Sequence, residues 1–337
     1  MSANPLRPAW LALALLLASL LLLLLGAGVG STGWESVWRL AAPDADPLAW
    51  QIVRDIRLPR TVGAWLAGAL LGLAGAVAQG VFRNPLADPY LLGSASGASL
   101  GVALAMAALG VSPFALQGLL RLGITGAAFA GAVGAVLLTL LLAKGAHNTM
   151  RLLLAGVVVG VVLGAASSMV LMLSPEIMQA MQSFMLGSTS FVGWGACALM
   201  AAVLALVVLL AWSLSRVLDG LALGESTALS LGLPLAPLRL LLIVVMALAT
   251  GTAVAQTGLI AFVGLAAPHL VRSLVRAMHG WLLLLSAGMG AVLLLGADLL
   301  ARWLIAPQEL PVGVLTAVLG GTYLLWLMHR RNVQEIA

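Results

Sequence analysis

Few side chains in this sequence are of a type that could do covalent chemistry, and their spacing does not gather them. The four histidines, His147, His269, His279 and His329, lie near predicted helix ends and have no metal-ligand spacing. Cys197 is the single cysteine, set in an apolar stretch, so there is no disulfide framework and no CxxC pair. There is no GxxxxGK loop ending in Ser or Thr to cradle nucleotide phosphates, and no HExxH. No metal or cofactor is expected on these grounds. What remains is suited to recognition. Arg57 and Arg60 stand three apart, a spacing that puts two guanidiniums on one face of a helix. Guanidinium pairs with carboxylate in a planar, bidentate way that sets register as well as affinity. Lipid headgroups, or neutralisation by Asp55, are the plainer uses of the same pair. Met169, Met172, Met178, Met181 and Met185 collect around one predicted helix end. Their thioethers are soft and adaptable, suited to packing, to a bulky apolar ligand or to an iron. Asp298 is the clearest carboxylate deep in an apolar run, the kind of group that an ion-coupled carrier uses.

The elements that position these groups must sit in lipid. Of 337 residues, 62% are hydrophobic and 8% charged, with a mean hydropathy of +1.14. A water-soluble domain carries roughly a quarter charged residues, so this chain cannot cover a solvated surface. The +5 net charge is spread singly between apolar runs. It reads as topology marking rather than nucleic-acid binding.

About 20 apolar residues cross a bilayer core. Ten segments meet or approach that length: 10–29, 60–82, 91–110, 119–143, 151–173, 192–214, 237–256, 259–277, 281–305 and 311–328. The first is longer than the roughly 7–15 apolar residues of a signal peptide and is read as a retained helix. The eighth is interrupted by Gly258, Gly264 and Pro268. With Arg7 inside, ten Lys and Arg residues fall on the inner side and six on the outer, which predicts cytoplasmic termini. Residues 30–58 form an outer polar loop. Residues 215–236 form the longest inner connection, predicted to hold one or two short helices with a glycine stop. Gly68 and Gly72, Gly97 and Gly101, and Gly156, Gly160 and Gly164 place small residues on single helix faces for close packing. The expected fold is all-α, with residues 1–337 as one transmembrane domain.

Four stretches then stand out in order: Arg57-Leu-Pro-Arg60; Asn84-Pro-Leu-Ala-Asp-Pro89 continuing through Tyr90 to Gly97; Gly258 through Pro268-His269 to Arg272; and Glu309-Leu-Pro311-Val-Gly313. Together they resemble the FecCD-type permeases of ABC importers for cobalamin, haem and ferric siderophores, over nearly the whole chain. The resemblance implies a homodimer in the bacterial inner membrane, two cytoplasmic ATPase subunits and a periplasmic binding protein. The cargo would be a metal chelate, moved by alternating access. The chain would have no ATPase site or cofactor of its own. Carried over by motif, Arg57, Arg60 and Arg302 would dock the binding protein. Asn84 and Leu86 would lie near the inner gate, and Thr149 and Met150 at a second gate position. There the family commonly has small hydroxyl residues, and Met150 departs from that pattern. Residues 215–236 would couple to the ATPase through Glu225, Ser226, Leu231 and Gly232. Gly258, Gly264 and Pro268 would line or support the pathway, with His269 structural rather than a haem ligand. The rival reading is an ion-coupled carrier for a small metabolite, working through Asp298. An enzyme has no nucleophile, metal or general-base constellation to rest on.

Overall fold

The computed structural model describes residues 6–30, 33–34, 47–109, 118–230 and 232–336. Residues 31–32 and 35–46 of the expected 30–58 loop, and Leu231, therefore lie outside the described residues. The helices are α1 (Pro8–Gly28), α2 (Pro47–Ile52), α3 (Leu58–Phe82), α4 (Ser94–Leu109), α5 (Gly118–Leu142), α6 (Thr149–Leu173), α7 (Met178–Leu186), α8 (Trp194–Ser213), α9 (Ser215–Ala222), α10 (Glu225–Ser230), α11 (Leu235–Thr257), α12 (Val263–Leu274), α13 (His279–Trp303) and α14 (Val312–Ile336). A two-residue antiparallel ladder, Val29–Gly30 with Gly33–Trp34, follows α1. One helix falls within or across each of the ten expected spans, and the chain is an all-α membrane bundle.

Length separates these helices. Among the described residues, seven segments are long and apolar enough to cross a membrane, while α4 and the apolar part of α14 are shorter. The expected eighth span is shorter still as a helix. Twelve residues of α12 rise about 18 Å, well short of a hydrocarbon core of about 30 Å. α11 ends at Thr257, Gly258 takes a φ of 70°, and the chain runs without helix to Val263. Backbone groups freed inside a membrane must find protein partners. Here the Leu259 N–H donates to Phe184 O at 3.0 Å, the Tyr90 hydroxyl to Ile260 O at 3.2 Å, and the Ser188 N–H to Thr257 O at 2.8 Å.

The segment from α2 into α3 is the hub: 89% of its most apolar stretch is buried, against 17% in α6. Glycine makes this possible. A Cβ on Gly75 would lie 1.7 Å from Gly264 O, and one on Gly68 or Gly72 would meet Gly290 O or Ser286 O at 2.3 and 2.2 Å. α3 thus touches α12 and α13 backbone to backbone. Gly97 and Gly101 do the same against α5, and Gly156 against Leu91 O. Gly160 and Gly164 have only looser neighbours, at 3.8 Å or more. Their part of α6 turns to the exposed surface of the chain.

Gly75→Ala is expected to cost about 1–3 kcal/mol, the usual range for overpacking. Gly134→Ala, with nothing within 4 Å, is expected to gain up to about 1 kcal/mol of helix propensity. Thermal denaturation in detergent reads the difference; equal melting temperatures for the two variants would contradict the backbone-contact account.

Candidate functional site

The four sequence motifs, far apart in the chain, meet in space. Pro89 packs on Gly264, so close that a Cβ there would lie 2.6 Å from the proline ring, and Tyr90 bonds Ile260 O. A Cβ on Gly313 would meet Leu186 O at 2.3 Å and Leu259 O at 2.8 Å. Arg60 binds Glu309 in a fork, Nη1 to Oε2 at 2.8 Å and to Oε1 at 2.9 Å.

One end of the bundle is built around Asp298 on α13, which is 0% exposed. Arg302, one turn on, bonds its Oδ2. Arg60 Nη2 donates to Oδ1 at 3.2 Å, and the Thr189 hydroxyl also donates to Oδ1. Arg302 Nη1 reaches the Thr61 hydroxyl at 3.3 Å and Gly26 O at 3.5 Å, while Arg57 Nη1 reaches Gly28 O at 3.3 Å. The Ser190 hydroxyl donates to Glu309 at 3.1 Å. Two guanidiniums stand against two carboxylates, and five chain segments are tied together: the end of α1, the start of α3, the 187–193 loop, α13 and the 309 loop.

The face shared by Arg57 and Arg60 exists, but it turns into the bundle. Arg57, Arg60 and Arg302 are 5%, 8% and 1% exposed. Low-dielectric surroundings demand that each guanidinium find a partner, and the chain supplies them itself. Asp298 likewise differs from an ion-coupling group. Such a carboxylate must exchange its ion with water, whereas Asp298 is enclosed with a guanidinium on each oxygen. Of the methionines near this end, Met169, Met172, Met178 and Met185 are exposed, and Met181 is in the core.

The opposite end gathers the remaining predicted residues. α3 stops at Phe82, where Arg83 takes a left-handed φ of 49°. Asn84 then caps a tight turn, its Oδ1 accepting from the Leu86 N–H at 2.9 Å. Asn84, Leu86 and Met150 are exposed, and Thr149 is half-buried as the first residue of α6. α9 and α10 are the two short helices expected in residues 215–236, with Gly232 at φ 77° after them. Ser226 and Gly232 face outward beside exposed Leu223 and Leu229. Glu225 does not share that face. It bonds Arg239 at 2.8 Å, accepts from the Thr149 hydroxyl at 3.3 Å and lies 3.5 Å from Arg83.

Of the three residues carried over as lining or supporting the pathway, Gly258 lies against Phe184 O and Gly264 against Pro89 and α3, and Pro268 is buried inside α12. They support the fold of this chain. Proline has no N–H to bond one turn back, and a buried neighbour reinforces the same helix: Gln79 donates to Leu265 O at 3.1 Å and accepts from Arg272. His269 stacks edge-on with Tyr323 at 5.9 Å. Sequence reasoning missed Arg239, Gln79, Thr189 and the Asp219–His279 pair at 2.7 Å. Arg239 carried the one available signal, a charge beside an apolar helix in a chain with few charges.

Helix lengths, a broken eighth segment and, among the described residues, clusters of paired charge at two ends define a multi-pass membrane bundle. The chain belongs to the FecCD transport family, whose model matches residues 14–330. It is 40% identical over 331 residues to the hemin transport system permease protein HmuU of Yersinia pestis, covering 96% of this chain and 97% of that one. It is 39% identical over 322 residues to the vitamin B12 import system permease protein BtuC of Shigella boydii serotype 18, covering 95% and 94%. A solved structure described as an inward-facing conformation of a metal-chelate type ABC transporter superposes with a TM-score of 0.84 at 30% identity, over 96% of this chain and 100% of that one.

Removing the shared counter-charge strands the buried Arg302 guanidinium and leaves Arg60 with Glu309 alone. Asp298→Ala is expected to cost about 3–5 kcal/mol, seen as a lowered melting temperature in detergent. A wild-type melting curve for this variant would mean the cluster does not hold the end together.

Proposed function

We propose that this chain is the permease subunit of an ABC importer that carries a metal chelate, a ferric siderophore, haem or cobalamin, from periplasm to cytoplasm. Two copies enclose one pathway. Two separate ATPase subunits bind the Glu225 end on the cytoplasmic side, where both termini also lie. A periplasmic binding protein delivers cargo at the Asp298 end. Residues 1–337 act as one transmembrane domain in the inner membrane. The observation that carries this reading is the near full-length likeness to haem and cobalamin permeases in a chain that lacks any phosphate-cradling loop. Energy then has to arrive through a partner.

The two ends support the division of labour. Exposed Ser226, Gly232, Leu223 and Leu229 offer a mixed polar and apolar surface for an ATPase cleft, and Leu231 belongs to the same loop. Asn84, Leu86, Thr149 and Met150 stand where the inner gate would close. Docking of the binding protein uses the Arg57, Arg60 and Arg302 cluster through exchange. Glu309, with 27% of its side chain exposed, is the carboxylate that a partner's carboxylate replaces on Arg60. The exposed apolar face of α6, with Val157, Val158, Val161 and Val162, faces the second copy and the pathway. The exposed methionines edge that surface with soft, weakly binding groups, which suits a conduit that must release its cargo.

Reconstitution in liposomes with the ATPase and binding protein tests this, using haemin, cyanocobalamin and a ferric hydroxamate as probes. ATP-dependent uptake of one of them, abolished by replacing the ATPase Walker lysine, is expected. Uptake indifferent to that lysine but collapsed by an uncoupler would establish an ion-coupled carrier instead.

A further inference from the structure

The coupling loop has two faces with different partners. Ser226, Thr227 and Leu229 of α10 are exposed, whereas Glu225 in the same short helix, with 35% of its side chain exposed, directs Oε1 to groups of its own chain. A single oxygen, Oε1, receives three contacts: the Arg239 guanidinium at 2.8 Å, the Thr149 hydroxyl at 3.3 Å and the Arg83 guanidinium at 3.5 Å. These come from three other elements: the start of α11, the first residue of α6 and the turn that ends α3. Arg239 is 1% exposed, and its Nη1 also donates to Ala146 O at 3.0 Å and His147 O at 3.1 Å. The strand of loop leading into α6 is therefore held by the same guanidinium that holds Glu225. Asn148 caps α6 next to this grip, its Oδ1 accepting from the Arg151 N–H at 3.0 Å.

A carboxylate held this way resists displacement relative to its partners, because charge-assisted bonds are short and strong. α10 cannot shift without dragging the α6 N-terminus and the 83–89 turn, or breaking the contacts to Oε1. α6 is held less tightly by the rest of its own chain, with 17% of its apolar stretch buried there. By contrast α3, which Arg83 terminates, is fixed along its length by backbone contact with α12 and α13. We propose that Glu225 is a positioning residue that transmits movement of the coupling loop to the α6 N-terminus, with Arg239 as its rigid anchor, rather than a contact residue for the ATPase. The proposal rests on the transport reading above and assigns the residue through which that transport is driven.

The test uses the full complex of permease, ATPase and binding protein in liposomes, with the probe that the wild type transports. Glu225→Gln keeps the shape and removes the charge. Retention of the ATPase in the purified complex and its hydrolysis rate are expected to stay near wild type, while uptake per ATP falls about tenfold, within the usual span of coupling between sites. Glu225→Asp is expected to recover part of the loss. Thr149→Val, which touches only the α6 contact, is expected to lower the same ratio, and less than additively with Glu225→Gln. Unchanged uptake per ATP in Glu225→Gln overturns the proposal. Loss of the ATPase from that complex also overturns it, because Glu225 would then be a docking contact. A wild-type complex without ATP-driven uptake is a separate result that removes the transport reading, and the proposal with it.

Discussion

Lipid offers no partner to a bare backbone amide or carbonyl, and the segment between Thr257 and Val263 leaves the helix inside the bundle. That single constraint organises the surrounding structure. The Phe184 carbonyl, the Tyr90 hydroxyl and the 187–193 loop are brought in to satisfy the exposed backbone. α12 can then begin part-way through the bundle, provided that α3 comes close enough to shield it. Gly75 permits the approach, and Gly68 and Gly72 extend it along α13. Gln79 completes the arrangement by joining Leu265 O and Arg272 to α3. The burial of α3 follows from this contact and places its two ends, Arg60 and Arg83, as fixed points.

Charge is then confined to those two ends. The Asp298 cluster ties five segments with two guanidiniums and two carboxylates. The Glu225 cluster ties four with one carboxylate and two guanidiniums. Desolvation makes such groups costly unless each is paired, so their positions are strongly determined. The two clusters differ in accessibility. Asp298 is sealed, with Glu309 as its exposed member, whereas Glu225 is itself partly exposed and lies beside an outward-facing loop.

Much of this was legible in the sequence. Apolar run length located the spans, Gly258 with Pro268 marked the break, and the glycine pairs at 68 and 72 and at 97 and 101 marked close contacts. These are local signals, and local periodicity carries them. Gly160 and Gly164 have the same spacing without the contact, because spacing defines a face and not what covers it. Arg57 and Arg60 illustrate the same limit. Their shared face was predictable, but its direction depended on Asp298, 238 residues away from Arg60. Glu225 was singled out through the resemblance of residues 215–236 to a coupling segment; its bonds to Arg239 and Thr149 join elements that the local pattern does not connect. The residues missed, Thr189, Gln79 and Arg239, bond across elements that no sequence pattern joins.

We propose that the Glu225 end opens and closes in response to nucleotide bound by a partner. Spin labels at Met150, exposed on α6, in both copies of the assembled complex measure this directly through their mutual distance. Two distinct distance populations that exchange when a non-hydrolysable ATP analogue is added are the predicted result. One unchanged distribution with and without the analogue, in a complex that still binds it, would contradict the account.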